Sequence, residues 1–147
     1  MAYTNRVSED LVPLAVHYSQ TRQVATHNSG WVLMENYHRA RLDLNVGTMG
    51  AAATLDAGIQ QASAAAGTGV KAIAGKTITQ LTQAGGDANS LCTIELQTEE
   101  LDVDNGFEYI RFYVTIAVAD CVYGATLDGT CGRFKPVPTT NWTEIVG

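Results

Sequence analysis

The sequence predicts a mainly β fold: an antiparallel β-sandwich or jelly-roll-like single domain with extended N- and C-terminal arms. Three observations predict it. Apolar residues recur with a period of two in several separate stretches, clusters of Gly, Asn and Asp punctuate them, and no stretch reads as the crossover helix that a parallel sheet requires. A chain of 147 residues suits one domain and buries about two-thirds of the surface its unfolded form exposes. It needs neither metal nor disulfide to fold.

Residues 1–29 show no clean period and read as an N-terminal arm or edge element, with an ordinary first strand plus loop as the other reading. Ser8-Glu9-Asp10 can cap a short helical turn that Pro13 limits. Residues 30–138 form the sandwich. Trp31-Val32-Leu33-Met34 is a short apolar run. Ala40, Leu42, Leu44 and Val46 then alternate with Arg39, Arg41, Asp43 and Asn45, which is the pattern of a half-buried strand. Ala53, Leu55, Ala57 and Ile59 repeat the pattern after a Gly47–Gly50 turn, so the two are expected to pair as a hairpin. Gly67 and Gly69 break the Ala-rich stretch that follows, leaving a loop and a small strand from Val70 to Ile73. Thr77 to Gln83 admits either one helical turn or a short strand.

Cys92, Ile94 and Leu96 mark a third alternating strand. Asn105-Gly106 is a hairpin-turn signal, because both residues tolerate positive φ. Ile110, Phe112, Val114, Ile116 and Val118 give the most strongly β segment, read as a central strand with Val122 to Leu127 as its partner. Pro136 and Pro138 end the regular structure, and residues 139–147 form a C-terminal tail.

Composition narrows the function. Hydrophobic residues make up 46% of the chain and charged residues 16%, against a usual charged share of about 25%. Such a surface suits a protein packed against neighbours. The net charge of −6 and scattered Lys and Arg argue against a nucleic-acid partner, which needs a basic face. No run approaches the roughly 20 apolar residues of a membrane span, and Met1 to Asp10 lacks the apolar core of a signal peptide. Three cysteines, Cys92, Cys121 and Cys131, have no metal spacing. They read as buried free thiols of a protein made in a reducing cytosol, with a Cys121–Cys131 disulfide as the lesser option.

No catalytic, cofactor or metal site is expected. His17, His27 and His38 share no ligand spacing and read as solvated or hydrogen-bonded side chains. The acidic cluster Glu99, Glu100, Asp102, Asp104 and Glu108 lacks the third oxygen ligand and terminal glutamate of a calcium loop, so it reads as a solvated turn or an acidic patch. Gly75-Lys76-Thr77 lacks the upstream glycine of a phosphate loop. The aromatics Tyr3, Tyr18, Trp31, Tyr37 and Trp142 fall at element ends or in the arms, where they are candidates for an interface; core packing is the other reading of Trp31.

With the strands placed, several stretches form a familiar set: Gly30-Trp31-Val32-Leu33-Met34-Glu35-Asn36-Tyr37-His38-Arg39-Ala40, residues 53–62 running into 67–73, Glu99-Glu100-Leu101-Asp102-Val103, Tyr109-Ile110-Arg111-Phe112 and Arg133-Phe134-Lys135-Pro136. Together they resemble small structural proteins encoded among the head genes of tailed bacteriophages. The resemblance covers roughly residues 30–140 and carries no catalytic signature. It implies a capsid decoration (cement) protein that binds the outer surface of the virion shell. The implied partners are the major capsid protein and further copies of itself, as a homotrimer. Head–tail adaptors, tail terminators and tail tube subunits form the second reading, and a carbohydrate-binding module the third.

Overall fold

Ten strands in two sheets account for nearly all of the regular structure in the computed structural model, which describes residues 6–133 and 141–146. A single helical turn, α1 (Val7–Asp10), leads into β1 (Leu11–Arg22), β2 (Ala25–Asn28), β3 (Val32–Leu33), β4 (Tyr37–Met49) and β5 (Thr54–Ala62). Then come β6 (Lys71–Thr77), β7 (Leu81–Thr82), β8 (Leu91–Gln97), β9 (Tyr109–Ala117) and β10 (Cys121–Gly132). One sheet has the order β1-β10-β4-β8. The other runs β2-β9-β5-β6, with β3 on β9 and β7 on β5. Every pairing is antiparallel.

The topology follows from which strands meet. Among the eight principal strands, the first pairs with the last (β1 with β10), the second with the seventh (β2 with β9), the third with the sixth (β4 with β8) and the fourth with the fifth (β5 with β6). That is one long hairpin of strand pairs. Two further pairings, β10 with β4 and β9 with β5, roll it into two facing sheets. A rolled hairpin of this kind is a jelly roll, an architecture that recurs in viral capsid and lectin domains and in cupins.

Rolling explains where the local reading of hairpins departs from the structure. β4 and β5 alternate as expected, yet they lie in opposite sheets and do not pair. Asn105-Gly106 ends a 3-10 turn (Val103–Asn105), with Gly106 left-handed at φ 78°, and the chain crosses there from one sheet to the other. β9 is central, but β10 belongs to the other sheet, between β1 and β4. Alternation fixes which face of a strand is buried; it does not say which strand lies alongside.

The same holds at the N-terminus. Residues 11–22, read as part of an arm or edge element, form an edge strand paired with β10 almost throughout, and Ala25–Asn28 pairs with β9. The sandwich thus begins at Leu11. Pro13 fits because an edge strand tolerates the loss of an N–H donor, and the register shifts beside it. The tail prolines Pro136 and Pro138 lie outside the described residues.

The core fills the space between the sheets. Leu42, Leu44 and Val46 of β4, Leu55 and Ile59 of β5, Ile110, Phe112, Val114 and Ile116 of β9, and Tyr123 and Leu127 of β10 are all fully buried. Burying each large apolar side chain contributes about 1.5–3 kcal/mol over leaving it in water. Cys121 is a buried free thiol whose S–H donates to the Ala119 carbonyl at 3.7 Å. Cys121 and Cys131 stand ten residues apart on one extended strand, about 33 Å at the usual rise, far beyond disulfide reach.

Candidate functional site

The five interface aromatics have separate fates. Tyr3 lies outside the described residues. Tyr37 is 5% exposed and belongs to the core. Its ring lies against the backbone of Gly129, where a Cβ would come within 2.7 Å of Tyr37 Cδ1, so this tyrosine is a packing residue and its place among the interface candidates is corrected. Trp31 is half-buried, with the Arg111 guanidinium 4.6 Å from its ring centroid. Arg111 is itself fixed by a hydrogen bond from Nε to Gln60 Oε1 at 3.0 Å. Trp31 therefore belongs to the second sheet, apart from the remaining two.

Tyr18 and Trp142 come together. They line one cleft of about 620 Å³ on the outer face of the four-stranded sheet. Local sequence explains both placements. The β1–β10 register shifts between His17 and Gln20, so Tyr18 and Ser19 bulge opposite a single residue, Gly124. Gly124 permits the close approach: a Cβ there would sit 3.3 Å from Ser19 Cα. The bulge turns Tyr18 outward, leaving it 73% exposed. Trp142, 37% exposed, is held on the other side by its neighbour Asn141, whose Nδ2 donates to the Pro13 carbonyl at 2.7 Å. A second depression continues across the sheet towards Leu91, which is 72% exposed on the opposite edge strand.

Carboxylates stand in the cleft. In register, Asp128 of β10 lies between Pro13 and Arg41, and Thr126 lies between Val16 and Asp43. Asp43 accepts a hydrogen bond from Thr93 Oγ1 at 2.6 Å, and Arg41 Nε approaches its Oδ2 at 2.9 Å as an ion pair without hydrogen-bond alignment. Arg41 is thereby drawn to Asp43. Asp128 is only 5% exposed and accepts no hydrogen bond from any described residue. Burial pushes its carboxyl above the ordinary aspartate value. The nearby Asp43 charge adds to the rise and Arg41 opposes it.

The other candidate chemistry resolves into structure. His17 Nδ1 lies 3.0 Å from the Tyr123 hydroxyl, and burial, then the Arg22 charge, lower its basicity. Burial also pushes the Tyr123 phenol up to about 12. His27 Nε2 meets the Gln23 carbonyl at 2.9 Å, and His38 is exposed. In the acidic turn, Asp102 is paired with Lys71, and Glu100 with Lys76 at 2.8 Å. Among the described residues no group of three or more His, Cys, Asp or Glu side chains could hold a metal ion, and no helix is long and apolar enough to cross a membrane.

Asp128, Asp43 and Leu91 were not singled out from the sequence. Asp43 reads there as an ordinary outward residue of an alternating strand, and Leu91 and Asp128 fall just outside the strands as read. They become a site only through the β1–β10–β4–β8 order, which joins residues more than 80 positions apart.

No family model matches the chain, and no curated protein matches it. Among solved structures, that of infectious bursal disease virus Gt strain is similar, with a TM-score of 0.44 and 13% identity over 84% of this chain and 32% of that one. The Gx strain structure of the same virus gives a TM-score of 0.39 and 12% identity over the same shares. The chain spans about a third of the length of the chains it matches.

Proposed function

We propose that this protein is a structural subunit of a virion, binding the outer surface of a tailed-phage capsid as a cement protein. The observation that carries the reading is a well-packed jelly roll, poor in charge, that leaves large apolar side chains in solvent. Tyr18 and Leu91 stand out from one sheet, and Val24 and Val118 from the loops at one end. Exposed apolar groups on a well-packed body serve contacts with fixed neighbours better than they serve turnover of a small substrate. The resemblance of residues 30–140 to phage head proteins supplies the phage setting. On this reading the partners are the major capsid protein and further copies of the chain as a homotrimer, made in the host cytoplasm and resident on the virion, and the protein has no catalytic role. Many weak contacts repeated over a lattice gain strength through avidity.

Mixing the purified protein with expanded, undecorated shells tests the proposal. Saturable binding at hundreds of copies per particle is expected. Absence of binding overturns it, and a count of six or twelve per particle replaces it with a neck or tail position.

A further inference from the structure

We infer that the cleft between Tyr18 and Trp142 receives an arginine side chain from an extended segment of a partner protein. The shell proposal bears on this only in naming the partner as a shell subunit; the binding chemistry stands on the cleft itself.

Asp43, Asp128 and Glu144 line the cleft, and no Lys or Arg side chain lines it among the described residues. A cluster of carboxylates alone is commonplace. Asp128 distinguishes this one. Its side chain is nine-tenths buried, borders the cleft and lacks any hydrogen-bond donor among the described residues. The cation directly across the ladder, Arg41, is turned to Asp43. The Asp128 carboxylate borders the cleft, and a charged donor brought from outside replaces water there with a charge-assisted contact. The aromatic walls narrow the choice of donor. Tyrosine and tryptophan faces attract cations, and a planar guanidinium both stacks on such rings and offers five N–H donors to carboxylates lying in different directions. An ammonium is a point charge and uses this arrangement less fully. The cleft volume of about 620 Å³ falls within the range of pockets that enclose a small ligand, about 300–1,000 Å³. It admits the side chain with adjoining backbone.

The experiment titrates the ¹⁵N-labelled full chain with N-acetyl-arginine methylamide, with its neutral isostere N-acetyl-citrulline methylamide, and with cellobiose. Saturable shifts of the Trp142 indole N–H and the Gly124 and Thr126 amides are expected with the arginine compound. Binding should be about tenfold weaker with citrulline, as for loss of one charge-assisted contact. Asp128→Asn should weaken the arginine response by a similar factor while the β9 amides stay in place. Trp142→Ala, a change outside both sheets, should do the same. Equal responses to arginine and citrulline overturn the inference. So does a response to cellobiose alone, which would make the cleft a glycan site. Shell binding by the same variants separates the two proposals. Shells that take up the wild type and both variants equally overturn the cleft inference and leave the shell role intact, whereas selective loss by the variants supports both.

Discussion

The turn at residues 98–108 and the cleft over the four-stranded sheet both gather carboxylates, but they are neutralised in opposite ways. In the turn, Asp102 is held by Lys71 and by Asn105 Nδ2 at 2.8 Å, and its own N–H donates to Gln61 Oε1 at 2.9 Å. Lys71 also sits 3.8 Å from the Phe107 ring centroid. Glu100 takes the Gln97 N–H and Lys76 Nζ, each at 2.8 Å. Both carboxyls are held below their ordinary values, Asp102 by the Lys71 and then the Asn105 hydrogen bonds, Glu100 by the Gln97 N–H and then Lys76. Asp128 moves the other way. Where the chain supplies its own donors, acidic residues build structure. Where it withholds them, a partner can supply one.

The largest test of that contrast lies at Gln61, which is buried and is the acceptor for the Asp102 N–H. Gln61→Leu leaves that donor without its acceptor and should cost about 1–3 kcal/mol of stability by chemical denaturation. Shell binding by the folded variant should not change. An unchanged denaturation midpoint would mean that the acidic turn is not held in the way described. A smaller effect is expected at Lys76. Its amine donates to Glu100 and to the Glu95 carbonyl, tying β6 of one sheet to β8 of the other. Lys76→Met keeps the packed stem and removes both donors. Glu100 is partly exposed, so water takes up much of the loss, and about 1 kcal/mol is expected.

How much of this was legible in the sequence follows from the range of each interaction. The burial of Leu42, Leu44, Ile110 and Phe112 is local, since a period of two declares the inward face whatever lies beside it. The mainly β antiparallel class was readable for that reason. The pairing of β10 with β4 and β1 was not, because rolling joins strands that no turn signal connects. The acidic turn was conspicuous because its carboxylates are neighbours in sequence, yet it proves internally compensated. The cleft was inconspicuous because Asp43 and Asp128 meet only through the register of two strands. Tyr18 and Trp142 could be suspected individually, as aromatics in segments with no apolar period to bury them. Nothing local separated them from Tyr37, which sits beside the same kind of polar residues but faces Gly129.

The finest test of the comparison is the sign of a pH effect at Asp128. Its folded-state value is raised above the unfolded one, so the native state holds the proton more tightly. The stability linked to this group is greatest below the unfolded value and is lost as pH rises through the folded value. Above that folded value the wild type carries an ionised carboxylate that Asp128→Asn lacks. The variant should be the more stable, by less than about 1 kcal/mol, the scale of single charge interactions near a surface. Acidification should shrink that advantage as Asp128 takes up its proton. Asp102 and Glu100 contribute stability above their unfolded values and lose it as pH falls through their lowered folded values. Both wild type and variant carry that loss, so it cancels in the difference between their melting temperatures. A variant less stable than the wild type above that folded value would mean that Asp128 already has a donor in the free protein, and the distinction between a satisfied turn and an unsatisfied cleft would fail.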